Sequence, residues 1–269
     1  MMQLLKQQVD LNGFWQQLAA AKHALLLLDF DGTLAPFVAE RDQARLYPGV
    51  RNELLSLINQ DPEQLRIVSG REIDDLLERL MLVNPPEIWG CHGWQRRFRD
   101  GQQQVFHMPA ATKQALQEAL TLAETAGWGE RLEHKPVSLA LHWRGAPEQE
   151  QRRLKKQAVA LWQTLAEAGG LQLVPFDGGV ELRCPGVTKG TVVKRMLQEA
   201  PEDAAIAYLG DDLTDEDAFV ALGNKGLKVL VRTELRATAA DLWLRPPEDL
   251  LQFLRTWQKT REEGCNDDH

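Results

Sequence analysis

Cysteine, long apolar runs and an excess of positive charge are what this chain has least of. Three cysteines stand among 269 residues, Cys91, Cys184 and Cys265. They are too few and too scattered for a disulfide framework or a zinc cluster, and Cys91 beside His92 is one pair of neighbours, not a ligand set. No segment is apolar for long enough to cross a bilayer: Leu25 to Leu28 is far shorter than the roughly 20 residues a helical span takes. Met1 to Asp10 does not read as a signal peptide. The formal net charge of −8 leaves no overall basic footprint for nucleic acid. Internal repeats and low-complexity blocks are also missing. What is left is the expectation of a soluble, cytoplasmic, monomeric enzyme that partners neither nucleic acid nor membrane.

What is present begins with Leu25-Leu26-Leu27-Leu28-Asp29-Phe30-Asp31-Gly32-Thr33-Leu34. Four successive leucines read as a strand buried on both faces, as in a parallel sheet. Two aspartates cannot enter an apolar core without partners. They therefore belong at the carboxyl end of the strand, where open α/β sheets bind ligands. A turn at Gly32 can bring both carboxylates to one place. There, one could attack an electrophile and the other carry protons, and carboxylate and carbonyl oxygens suit Mg2+. The plain alternative is a strand followed by an Asp-Gly turn.

At 43% hydrophobic, the chain can bury one large core or two modest ones. A helix through Leu11, Phe14, Trp15 and Leu18 leads into the first strand. A loop from Ala35 to Tyr47 follows, then a helix opened by Pro48. Next come the strand Leu65 to Val68, a helix with Ile73, Leu76, Leu77 and Leu80 on one face, and a short strand at Ile88-Trp89. Arg96 to His107, centred on Asp100-Gly101, reads as a hairpin. Alternating strands and helices argue a parallel α/β sheet. From about Pro109 the pattern changes to helix (Thr112 to Ala126), strand (Ser138 to Trp143, half-buried by its alternation), helix (Glu148 to Ala168) and a hairpin across Asp177-Gly178-Gly179. The parallel pattern then resumes with a helix at Thr188 to Glu199, strands at Ala204 to Leu209 and Leu227 to Val231, and a last helix from Pro247. The polar tail from Arg261 is expected to be disordered. The expected division is 1–108 and 185–269 for an α/β core, with 109–184 as an inserted α+β domain.

Three further places could join the aspartate pair. Ser69 ends a strand before Gly70, so its hydroxyl and nearby N–H groups could hold a phosphate oxygen, or the stretch is a simple turn. Lys189 lies at a helix start, where an anion is favoured, or it is merely exposed. Asp211-Asp212-Leu213-Thr214-Asp215-Glu216-Asp217 puts five acids beyond an apolar strand. Their repulsion asks for a divalent cation, although Asp212 or Thr214 could also just cap the next helix.

In this order, DxDGT at 29–33, SGR at 69–71, the lysine of TKG at 189 and GDDxTDE at 210–216 resemble the four motifs of the haloacid dehalogenase (HAD) superfamily of phosphatases. The resemblance implies a HAD-like Rossmannoid core with a cap domain inserted between Ser69 and Lys189. It implies Asp29 as nucleophile and Asp31 as the acid/base. Ser69 and Lys189 would hold phosphoryl oxygens. Mg2+ would be bound by Asp29, the Asp31 carbonyl and Asp211, with Asp212 and Asp215 behind them. Phosphoryl transfer needs little beyond such positioning and charge neutralisation.

Glu133, Lys135, His142 and Arg144 share strand parity, which by itself fits a solvated face. The segment Glu133 to Arg144 resembles the ExKxxSxxxHxR signature of trehalose-6-phosphate phosphatases. Glu181 to Gly190 resembles their ELRPxGxxKG segment with Cys184 added before the proline. His92-Gly93 resembles their NHG turn, with Cys91 in place of asparagine and Trp94-Gln95 where an acid often follows. The resemblance implies trehalose 6-phosphate as substrate. Arg71, His92, Gly93, Glu133, Lys135, Ser138, His142, Arg144 and Glu181 would bind it, with Glu133, Lys135 and Glu181 on the distal sugar's hydroxyls. The alternatives are phosphatases of glucosylglycerol phosphate or mannosylglycerate phosphate, and a non-catalytic regulatory domain of the same fold.

Overall fold

The computed structural model describes residues 2–38 and 43–266; residues 39–42 of the expected Ala35 to Tyr47 loop lie outside them. The chain divides into two compact units, Met1–Gln104 with Thr188–His269, and Val105–Val187.

The first unit opens with β1 (Gln3–Leu4), α1 (Leu11–Ala20) and β2 (Ala24–Leu28). It continues with α2 (Val50–Gln60), β3 (Leu65–Val68), α3 (Ile73–Leu80) and β4 (Glu87–Gly90). The hairpin β5 (Gln95–Arg97) and β6 (Gln103–Val105) follows. Interposed is the second unit: α4 (Ala110–Thr125), β7 (Leu132–Lys135), β8 (Ser138–His142), α5 (Glu148–Gly169), β9 (Gln172–Phe176) and β10 (Gly179–Arg183). The first unit resumes with α6 (Lys189–Glu199), β11 (Ala205–Gly210), α7 (Leu213–Leu222), β12 (Leu227–Val231), β13 (Leu242–Leu244) and α8 (Glu248–Asn266).

The core is thus a mixed α/β sheet in the order β1-β13-β12-β11-β2-β3-β4-β5-β6. Its centre, from β13 to β4, is parallel. The leucine strand β2 sits mid-sheet, and Leu26, Leu27 and Leu28 are all buried, as a strand covered on both faces requires. Leu26 and Leu28 join a cluster with Leu54, Leu76, Phe253 and Trp257 from α2, α3 and α8. On the opposite face α6 and α7 pack together, and Phe219 meets Tyr208 edge-on at 5.8 Å.

Three expectations are corrected. The tail from Arg261 is not disordered at its start: α8 runs on to Asn266. Arg261 itself is buried and donates to the Leu18 and Ala21 carbonyls at the end of α1, satisfying acceptors that a helix leaves open. The inserted unit has one strand more than expected, because Leu132–Lys135 pairs with β8 in a hairpin turning at Pro136-Val137; a proline is tolerated at a turn where it breaks no ladder. And β8 is not half-buried, since Ser138 to Leu141 are all enclosed. The sheet of this unit is antiparallel, in the order β7-β8-β10-β9.

Candidate active site

Parallel register brings three acid- and hydroxyl-bearing strand ends side by side. Leu28 of β2 pairs with Leu209 of β11 and with Ile67 of β3. Asp29, Asp211 and Ser69 therefore emerge together at the carboxyl edge, buried to 3%, 1% and 1% exposure. The Asp29 N–H still donates to the Leu209 carbonyl at 2.9 Å, so sheet hydrogen bonding fixes where its side chain starts. Gly32 then turns at φ 81°, and a Cβ there would lie 2.3 Å from Asp211 Oδ2. Only glycine allows both that dihedral and that approach.

Lys189 opens α6, where Thr188 forms a capping box with Thr191. Its ammonium donates to Asp29 Oδ1 at 2.7 Å and to Asp215 Oδ1 at 2.8 Å. The second oxygen of Asp29 accepts from Thr33 Oγ1 at 3.2 Å. Asp215 is fully committed within the protein. Its Oδ1 also accepts from Tyr208 at 2.6 Å, and its Oδ2 from the N–H groups of Asp211 and Asp212 at 3.2 and 3.0 Å. Asp212 caps α7, reciprocally with Asp215. Capping therefore accounts for those two, but not for Asp211: neither of its carboxylate oxygens accepts a hydrogen bond among the described residues. The guanidinium of Arg232 stands 3.8 Å off.

The electrostatics follow from burial without water. Asp29 is pushed up to about 7, first by desolvation and then by Asp215 and Asp31, against the pull of Lys189. Asp211 is raised well above the carboxylate range by burial, Asp29, Asp215 and Asp212. Burial opposes the charge on Lys189, yet Asp215 and Asp29 outweigh it and hold the ammonium firmly protonated. One lysine does not balance three carboxylates. Ligand atoms of Asp29, Asp211 and Asp215 all lie within 4.8 Å of one another. A buried acidic cluster with one carboxylate left without a hydrogen bond fits a divalent cation held by oxygen donors.

Asp31 and Arg71 depart from a simple picture of proton donor and substrate ligand. Arg71 is 2% exposed and forks onto Asp31, Nε to Oδ2 at 2.7 Å and Nη2 to Oδ1 at 2.6 Å, while Nη1 reaches Asp75 at 2.6 Å. The planar fork matches a carboxylate edge to edge. Ser69 Oγ accepts from the Arg71 N–H at 3.2 Å. Cys91 and His92 both adopt positive φ, 49° and 58°. Their N–H groups bind the Arg71 and Ser69 carbonyls at 2.7 and 2.9 Å. The His92 ring lies so close over Gly70 that a Cβ there would be 2.6 Å from it. His92 and Gly93 are thereby fixed beside the Ser69 turn.

In the inserted unit, cross-strand register gives one face of the sheet to Glu133, Lys135, Ser138, His142, Glu181 and Arg183. Lys135 Nζ is 3.4 Å from both Glu181 Oε1 and Glu133 Oε1. Ser138 donates to Glu181 at 2.6 Å, and His142 Nε2 meets Glu133 at 2.9 Å. Lys135 and Glu181 are buried, and such a group stabilises a fold weakly at best. β8 ends at His142, short of Arg144, which donates to the Asp177 carbonyl. No role was read from the sequence for Thr33, Tyr208, Asp75 or Arg236. Thr33 carried a signal as the last residue of DxDGT, and Tyr208 as a hydroxyl in an otherwise apolar strand, which needs a partner when buried.

No helix of the described residues is long and apolar enough to cross a membrane. A family model described as trehalose-phosphatase matches residues 27–244. The trehalose-phosphate phosphatase of Mycobacterium marinum is 33% identical over 242 residues, covering 85% of this chain and 60% of that protein. The chain thus spans about 60% of the length of the curated relatives it matches. Among solved structures, the C-terminal domain of C. albicans trehalose-6-phosphate phosphatase superposes with a TM-score of 0.78 at 21% identity, over 95% of this chain and 99% of that one. A haloacid dehalogenase-like hydrolase from B. subtilis gives 0.61 at 15%, over 86% and 98%. These two show the HAD-like fold.

Proposed function

The chain belongs to the trehalose-phosphatase family, and from that premise we propose that it is a Mg2+-dependent phosphatase that hydrolyses trehalose 6-phosphate to trehalose and phosphate. The observation that carries this is a buried trio: Asp29 and Asp211 at adjoining strand ends, the latter with no hydrogen bond to its carboxylate, and Lys189 at the start of α6.

Asp29, the Asp31 carbonyl and Asp211 are the groups that would hold Mg2+, and the ion supplies charge neutralisation to the phosphoryl oxygens. Asp29 attacks phosphorus in line with the sugar oxygen. The P–O bond to the sugar breaks, and Asp31 gives its proton to the departing oxygen. Asp31 then takes a proton from water, which attacks the aspartyl-phosphate and releases inorganic phosphate with Asp29 restored. In the structure each Asp31 oxygen accepts one N–H bond from Arg71, so a proton carried on Asp31 competes with that fork. Lys189 and the Ser69 turn steady the phosphoryl oxygens. Asp215, held by Tyr208 and two backbone N–H groups, aims Lys189.

Glu133, Lys135 and Glu181 read sugar hydroxyls in this proposal. Charged groups already buried and bonded to one another are pre-ordered for directional hydrogen bonds. The test is phosphate release from trehalose 6-phosphate, glucosylglycerol phosphate, mannosylglycerate phosphate and p-nitrophenyl phosphate, each with and without EDTA. The proposal requires EDTA-sensitive turnover with trehalose 6-phosphate strongly preferred. Preference for another glycoside phosphate, or turnover indifferent to EDTA, contradicts it.

A further inference from the structure

The acidic turn after β11 is held from outside by one side chain. Arg236, in the loop after β12, is 17% exposed at its side chain. Its Nε donates to the Asp211 carbonyl at 3.1 Å and its Nη2 to the Asp212 carbonyl at 2.8 Å. Its Nη1 donates to the Ala237 carbonyl at 2.8 Å and pairs with Glu216. Glu216 closes the circuit by accepting from the Ala239 N–H at 2.8 Å. The N–H of Asp211 is meanwhile bound by Asp215. Asp211 is therefore anchored at both its N–H and its C=O, while its carboxylate is left without a hydrogen bond.

We infer that Arg236 is a positioning residue for the metal site: by bridging the Asp211 and Asp212 carbonyls it fixes the direction of the Asp211 carboxylate, and so sets the affinity for the divalent cation. The inference rests on Asp211 being a metal ligand, as proposed above. A guanidinium can do this because its donors lie in one rigid plane and can span two successive carbonyls; a lysine, a single point of charge on a flexible stem, cannot. Groups behind a ligand commonly alter metal affinity by about 10- to 100-fold.

Charge and positioning have opposite signs here, which makes the inference testable. Removing a cation beside an acidic cluster strengthens its attraction for a divalent ion. Losing the bridge weakens binding by letting Asp211 wander. Binding of Mn2+ to metal-free protein, followed by electron paramagnetic resonance, separates the two. Arg236→Gln and Arg236→Lys are both expected to bind Mn2+ about 10-fold or more weakly than wild type, with an unchanged far-UV circular dichroism spectrum. Should Arg236→Gln fail to fold, Arg236→Lys decides, because it keeps the charge facing Glu216. Unchanged or tighter binding by the folded variants overturns the inference alone. A wild type that binds no Mn2+, where Asp211→Asn is equally silent, removes the metal reading and the inference together.

Discussion

Lys189 reaches across 160 residues of sequence to Asp29, Nζ to Oδ1 at 2.7 Å, with both side chains almost fully enclosed. A charge pair this deep breaks badly when one partner goes. Lys189→Met removes the one ammonium that Asp29 and Asp215 share and leaves Arg232, 3.8 Å from Asp211, beside the three carboxylates. It is expected to lower stability by about 3–5 kcal/mol in urea unfolding with EDTA, and to lower turnover by at least about 10²-fold. A variant as stable and as fast as wild type would show that the pair is idle.

Asp29→Asn behaves differently. It keeps the shape of the side chain and one of its two accepting oxygens, and it removes one of three repelling carboxylates. The protein is expected to fold at least as stably as wild type without metal, yet to lose about 10⁴-fold or more in turnover, as deletion of a nucleophile does. Phosphate release and thermal melting, run on the same preparation, check both halves.

The acidic cluster also sets a pH dependence. Asp29 titrates at about 7 in the folded protein against 3.8 as the ordinary value, and Asp211 is shifted the same way, both chiefly by burial. A carboxyl whose pKa is raised by folding binds its proton more tightly in the native state. Its cost is absent below the ordinary pKa, grows as pH rises, and is complete above the folded value. Metal-free protein should therefore melt at a higher temperature at pH 5.5 than at pH 8. At about 1.4 kcal/mol per pKa unit, Asp29 alone makes this a shift on the order of a few kcal/mol. Saturating Mg2+ should remove most of that slope. Calorimetry at the two pH values, with EDTA and with Mg2+, gives the comparison; a metal-free protein more stable at pH 8 would contradict it.

Sugar recognition predicts a selective defect. Lys135→Ala and Glu181→Ala are expected to reduce turnover of trehalose 6-phosphate by about 10²-fold or more, the penalty for unpaired groups in a polar site. Hydrolysis of p-nitrophenyl phosphate, which has no sugar, should stay close to wild type and doubles as a check of folding. Equal losses on both substrates would mean that this face does not read the sugar.

Much of this architecture was legible in the sequence because its signals were local. Four leucines before Asp29 mark a central buried strand, and that strand is β2 at mid-sheet. Leu65–Val68 and Leu227–Val231 have the bounds their patterning implies. What stayed hidden depends on pairing partners, most of them distant along the chain. The two-residue β1 is a strand only by pairing with β13 at the sheet edge, and the three-residue β13 by pairing with β1 and β12. Leu132–Lys135 carries three polar residues out of four and becomes a strand through its partner β8. The polar end of α8 is ordered because Arg261 finds carbonyls of α1. In the site, acids and the lysine announced themselves by type and motif. The Arg71 fork on Asp31 and the Arg236 bridge did not, since a lone arginine in a loop says nothing of which oxygens it will reach.

The most direct test of the account is to trap the phosphorylated enzyme. During turnover of trehalose 6-phosphate, rapid quench followed by borohydride converts an acyl-phosphate side chain to an alcohol that mass spectrometry can locate. The account predicts that change at Asp29 alone, dependent on substrate and on Mg2+. Its appearance at another carboxylate, or its absence at every position during steady phosphate release, would contradict it.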